Sequence, residues 1–163
     1  LWCAAPLLFL RGEAGGAPAA RIGLIRGLVG DGLTTQERRQ VGLTNAIVFI
    51  NHLLDDDAHV LLVGDATPFY YDADVTYQTT WDRGPMSRAM DAHGDDMAAC
   101  WRTLGAAGFT HVFVDPAMLD RWIAAGWADE RLTGARMIEA GDAHGELVCR
   151  FPGGRALYAL PAR

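Results

Sequence analysis

The 163-residue chain contains no lysine; all 14 of its basic residues are arginine. That excludes a P-loop lysine and any Schiff-base lysine. Serine occurs once, as Ser87, in the run Arg-Gly-Pro-Met-Ser-Arg and not in a Gly-x-Ser-x-Gly turn, which argues against a serine hydrolase. The three cysteines, Cys3, Cys100 and Cys149, show neither Cys-x-x-Cys nor any metal-ligand spacing. Cys100 and Cys149 read as small apolar packing residues, with a disulfide between them as the alternative. Basic charge is also scarce, since 20 acidic residues leave a net charge of -6 and a pI near 5.2. Phosphate contacts need clustered basic side chains, so nucleic acid is excluded as a partner.

Long apolar runs are scarce too. The opening "LWCAAPLLFL", residues 1–10, falls short of the roughly 20 residues that span a bilayer. It reads as a core segment, a signal-peptide remnant, or the last half of a transmembrane helix with Arg11 at the interface. Residues 11–33 are rich in Gly and Ala and lack sustained periodicity, as a linker would.

The pattern changes at Thr34. Thr34 or Thr35 can cap a helix with Glu37 in its first turn and apolar residues at Leu43, Ala46, Ile47, Ile50, Leu53 and Leu54. Residues 60–63 form a continuous apolar run closed by Gly64, the mark of a strand buried on both faces. Residues 74–81 alternate more and predict a second, more exposed strand. Asp95 and Asp96 precede a helix with Met97, Cys100, Trp101 and Leu104 inward. After the strand "THVFVD", Asp115-Pro116 predicts an N-cap and first helical residue, with Leu119, Trp122 and Ile123 facing the core. The runs 60–63 and 111–114 should then be parallel neighbours. The terminal "ELVCRF-PGG-RALYAL" predicts an antiparallel hairpin at the edge of the same sheet. The fold class expected is α/β, a single domain with a mixed, mostly parallel, Rossmann-like sheet flanked by helices.

Gly64-Asp65, following a buried strand, suits a ligand-binding turn. It lacks the further glycines of a dinucleotide turn, because Ala66-Thr67-Pro68 follows, and Ala66 stands where an esterase would carry its nucleophile. Asp65 can equally cap a turn at the strand's end. Asp55, Asp56 and Asp57 with His52 and His59 have metal-ligand chemistry, but consecutive aspartates cannot all face one ion, and a solvated helix end explains them better. No metal and no cofactor is expected. Phe69, Tyr70, Tyr71, Tyr77 and Trp81 form a dense aromatic cluster suited either to a sugar or lipid-headgroup surface or to core packing. Asp82-Arg83 beside it is either a ligand contact or a local ion pair. Strand ends in open α/β sheets gather ligands, so the candidate binding residues are Asp65, Tyr70, Tyr71, Asp82, Arg83 and Asp115, on one concave surface. None is assigned a catalytic role.

The motif order "IVFINHLLDDDAHVLLVGDATPFYYDADVTYQTTWDRGP", "LGAAGFTHVFVDPAMLDRW" and a terminal "ALYAL" resembles the C-terminal soluble region of polytopic bacterial membrane proteins. Those proteins are GT-C glycosyltransferases of the dolichyl-phosphate-mannose and protein-mannosyltransferase type. The resemblance covers about residues 30–160. It implies that residues 1–10 end a transmembrane helix, that 11–33 are a linker, and that 34–163 are an extracytoplasmic α/β domain at the cell membrane. It further implies transfer of a sugar from a polyprenyl-phosphate donor, with the catalytic carboxylate in an early loop between membrane helices, outside these residues. The partners implied are the membrane region of the same polypeptide and a lipid-linked sugar or acceptor. The rival expectations are a free-standing small α/β ligand-binding or transferase domain and a purely structural domain.

Overall fold

A computed structural model describes residues 34–79 and 82–161. The expected membrane-helix end at 1–10, the linker at 11–33 and Trp81 of the aromatic cluster lie outside the described residues. Among the described residues no helix is long and apolar enough to cross a membrane.

The described residues form one five-stranded mixed sheet and six α-helices. In chain order these are α1 (Thr35–Gly42), α2 (Ala46–His52), β1 (His59–Val63), β2 (Asp74–Tyr77), α3 (Pro85–His93), α4 (Met97–Ala106), β3 (His111–Val114), α5 (Pro116–Ala124), α6 (Gly134–His144), β4 (Glu146–Arg150) and β5 (Ala156–Ala159). The strand order is β2-β1-β3-β5-β4. β1 runs parallel to β2 and to β3, with Val60 opposite His111 and Val63 opposite Val114. β5 is antiparallel to β3 and to β4. The two apolar runs are therefore the parallel neighbours the sequence predicts, and the terminal hairpin forms the far edge around Pro152–Gly154.

The unbroken apolar run of β1 follows from a core on each side of the sheet. Successive side chains of a strand point to opposite faces. Leu61 and Val63 join Val112, Val114 and Tyr158 under α3 to α6, with Met86, Cys100, Trp101, Leu119 and Met137. Val60 and Leu62 join Phe113 and Leu157 on the other face, under Ile50 of α2, Tyr71 and Phe151. Burying each such side chain contributes about 2 kcal/mol relative to exposure. Cys100 belongs to the first cluster and Cys149 packs on the second, and both are free thiols.

Two expectations change in detail. The apolar stripe from Leu43 to Leu54 does not lie on one helix, because the chain breaks between Gly42 and Ala46. Asn45 caps α2 with its side chain, accepting from Ile47 N at 3.0 Å, which favours a fresh start over continuation. Leu43, in the break, is exposed. The second strand stops at Tyr77, where Gln78 turns inward against Gly84. A Cβ on Gly84 would collide with the Gln78 carboxamide, so glycine is what lets the two segments touch. By contrast, the helix starts match expectation. Thr34 and Glu37 form a reciprocal capping box, Asp96 accepts from Ala99 N at 2.9 Å, and Asp115 accepts from Met118 N at 2.9 Å ahead of Pro116.

Candidate functional site

The six candidate residues fall into two groups. The first gathers where β1 and β3 end. Gly64 takes φ +87°, and a Cβ there would stand 2.5 Å from the Asp115 carbonyl oxygen, so the turn after β1 is held against the start of α5. Asp115 N donates to Val63 O at 2.9 Å, continuing the ladder past the strands. Asp65 then points its carboxylate forward along the chain. Its Oδ1 accepts from Thr67 N at 2.8 Å and Thr67 Oγ1 at 2.6 Å, and its Oδ2 accepts from the Tyr71 hydroxyl at 2.8 Å. Tyr71 is buried, and that burial, together with the adjacent Asp65 charge, pushes its phenol well above the usual tyrosine range. The Asp115 carboxylate and the Arg155 guanidinium also bear on Tyr71, with opposite signs.

The rest of this segment is anchored from α2. Asn51 Nδ2 donates to Tyr70 O at 2.8 Å, and Asn51 Oδ1 accepts from Asp72 N at 2.9 Å. Asn51 thus clamps the aromatic loop to the second core, a role that its place in Ile-Asn-His does not announce. Phe69 lies at the tip, 86% exposed, and Tyr77 is also exposed, so the aromatic cluster is not a single packed unit.

The second group lies beyond the end of β2. Asp82 and Arg83 line a cleft of about 370 Å³ with Gln78, Ser87, Gly126, Trp127, Ala128, Asp129 and Glu130. None of Asp65, Tyr70, Tyr71 and Asp115 lines it. Asp82 does not pair with its neighbour Arg83 and instead accepts from Thr79 Oγ1 at 2.7 Å. Arg83 reaches Asp91 at 2.6 Å and Asp129 at 3.5 Å. Arg131 bridges the same two carboxylates, at 2.7 Å to Asp91 and 2.6 Å to Asp129, and adds a second bond from Nε to Asp129 at 2.9 Å. These Arg131 bonds, with a lesser contribution from Ser87, hold the Asp129 carboxyl down at about 2. The cleft wall is therefore an ion network fixed from three directions.

Its floor is less settled. Gln78 is only 4% exposed, and its Oε1 has no hydrogen-bond partner among the described residues. A buried carbonyl left unpaired costs about 1–3 kcal/mol. Trp127 stands at the rim, 49% exposed. Sequence reasoning missed Gln78, Trp127, Asp129 and Glu130. The only signal was the compact run Gly-Trp-Ala-Asp-Glu-Arg at 126–131, which brings an indole, two carboxylates and a guanidinium into six positions.

A wider groove of about 770 Å³ runs between α6 and β4, lined by Gly134, Ile138, Asp142, Arg150 and others, and holds none of the six candidates. Asp142 there accepts from Arg150 at 2.6 Å and from the Tyr158 hydroxyl at 2.8 Å. No group of three or more metal-ligating side chains occurs among the described residues. No family model matches the chain, and no curated protein and no solved structure matches it either.

Proposed function

We propose that this chain supplies the extracytoplasmic accessory domain of a membrane glycosyltransferase that moves a sugar from a polyprenyl-phosphate donor, with catalysis carried outside these residues. The observation that carries the reading is the engagement of both Asp65 oxygens within its own turn. Three hydrogen bonds, two from Thr67 and one from Tyr71, occupy the carboxylate at the place where an open α/β sheet would present a reactive group. Asp115 is likewise engaged as a helix cap. A carboxylate held in this way orders a turn and is poorly placed to take a proton from substrate. The motif order shared with the soluble region of GT-C enzymes supports the rest of the proposal. The parallel β2-β1-β3 start, covered by helices on both faces, supports reading residues 34–163 as one Rossmann-like domain.

The test uses the complete gene product. Transfer from a polyprenyl-phosphate sugar is measured with and without residues 34–163, and a fusion after Arg163 reports the side of the membrane. Expected are transfer by the whole protein, none by the 163-residue chain alone, and an extracytoplasmic reporter. Transfer by the chain alone would place catalysis here and remove the accessory role.

The cleft lined by Asp82 and Arg83 favours a second reading, a free-standing small α/β ligand-binding domain. A complete gene product without membrane helices upstream would decide for it.

A further inference from the structure

We infer that the cleft between Gln78, Arg83 and Trp127 binds a neutral, pyranose-sized sugar. The inference deepens the proposed function, but it is argued from the cleft itself.

Size and shape come first. About 370 Å³ lies within the range of small-molecule sites and is suited to one or two sugar rings rather than to a large cofactor. Charge comes next. Among the described lining residues, Asp82, Asp129 and Glu130 stand against one guanidinium, Arg83, whose charge is already shared between Asp91 and Asp129, and Asp129 is also paired with Arg131 behind it. A phosphate or nucleotide would meet net repulsion. A neutral polyol meets carboxylate oxygens that accept from its hydroxyls and guanidinium hydrogens that donate to them.

The apolar and amide groups complete the match. A pyranose has a face of C–H groups and an edge of hydroxyls, so it needs a flat apolar surface beside polar groups. Trp127 offers its exposed half at the rim, and an indole joins an apolar face to a polar edge. Gln78 offers a buried carboxamide oxygen that no group among the described residues satisfies. The terminal torsion of glutamine is broad, so the carboxamide can turn toward a hydroxyl entering the cleft. Ser87, also buried, lines the same cleft. The ion network of Arg131, Asp91 and Asp129 holds these groups in place before a ligand arrives.

The test is heteronuclear NMR on the 163-residue chain, titrated with the methyl α-pyranosides of mannose, glucose and galactose, and separately with inorganic phosphate and tetramethylammonium. Expected are saturable shifts at Gln78, Arg83 and residues 126–130 for at least one pyranoside, and weaker or no shifts there for the two ions. Trp127→Ala should weaken sugar binding by about 3–10-fold, the factor for losing one aromatic contact. Gln78→Leu keeps the volume, removes the unpaired oxygen, and should weaken binding without lowering the melting temperature. Any of four results overturns the inference: no pyranoside shift, shifts confined to the α6–β4 groove, tighter binding of either ion, or unchanged affinity in both variants. A chain that binds pyranosides while its complete gene product transfers no sugar upholds the cleft and removes the transferase assignment. Transfer by the complete protein with no pyranoside in this cleft removes the cleft and leaves that assignment standing.

Discussion

The hydroxyl of Tyr71 donates to Asp65 Oδ2 at 2.8 Å, joining a buried aromatic of the second core to the turn that ends β1. Six positions separate the two residues, and Thr67 between them is held by the other oxygen of the same carboxylate. The turn and the aromatic loop therefore form one unit. Tyr71→Phe keeps the ring and removes the bond, leaving one carboxylate oxygen without its protein donor. The expected loss is about 1–2 kcal/mol of stability by urea unfolding, with any change in sugar transfer by the complete protein following the stability. Lost transfer at unchanged stability would instead give Tyr71 a direct functional role.

The Asp129 network makes stability depend on pH in a definite direction. Its carboxyl lies at about 2 when folded, against 3.8 for the ordinary group, chiefly because Arg131 bonds the charged form. Arg83, Arg131, Asp91 and Ser87 are the groups that face or adjoin it. A depressed carboxyl contributes stability above its unfolded value and loses it as pH falls toward the folded one. Asp129→Asn should cost about 1–2 kcal/mol at pH 7, toward the lower figure because Arg131 and Asp91 meet solvent. The gap between the two proteins should hold down to about pH 5 and shrink between about pH 4 and pH 2. A gap of constant size across that window would show that Asp129 acts through its shape and not its charge.

Much of the fold was legible because its signals are local. The runs at 60–63 and 112–114 are apolar on every residue, which only a strand covered on both faces tolerates, and each is buried throughout. Asp115-Pro116 and Pro152-Gly153-Gly154 act through backbone geometry that those residues carry anywhere. The break at Gly42–Ala46 was hidden because Leu43 continues the helical period yet stays in solvent, and periodicity cannot register exposure. The candidate site was legible in its members but not in its grouping. Asp82 and Arg83 find their neighbours in residues 126–131, on a distant loop, while Asp65 and Tyr71 meet locally. Gln78 looked like the next residue of a strand, and only the contact with Gly84 turns it into the floor of a cleft.

The two described cysteines should remain thiols. Cys100 lies on the buried face of α4 and Cys149 packs on the opposite face of the sheet, so the sheet separates them. Burial raises both thiols above their ordinary value, which keeps the reactive thiolate scarce at neutral pH. In a Cys3→Ser background, mass spectrometry after alkylation should find two free thiols. The half-buried Cys149 should label first, and Cys100 only on unfolding. A mass lower by two hydrogens, with no thiol to alkylate, would contradict this arrangement.

Two glycines with nearly the same φ separate the cost of conformation from the cost of space. Gly64 has φ +87° and Gly153 has φ +82°, so alanine at either meets the left-handed penalty, about 1 kcal/mol. Their surroundings differ. A Cβ on Gly153 meets nothing within 4 Å, whereas one on Gly64 would stand 2.5 Å from Asp115 O and 2.9 Å from Leu119 Cγ. The carbonyl belongs to the N-cap of α5 and Leu119 is fully buried, so neither can retreat without moving the helix from the sheet. Gly153→Ala should lower stability by about 1 kcal/mol, and Gly64→Ala by about 2–4 kcal/mol, as overpacking adds to strain. Urea unfolding of the two variants side by side measures the difference. Equal losses would mean that β1 and α5 are not in contact at this turn, and the sheet end carrying Asp65 and Asp115 would have to be redrawn.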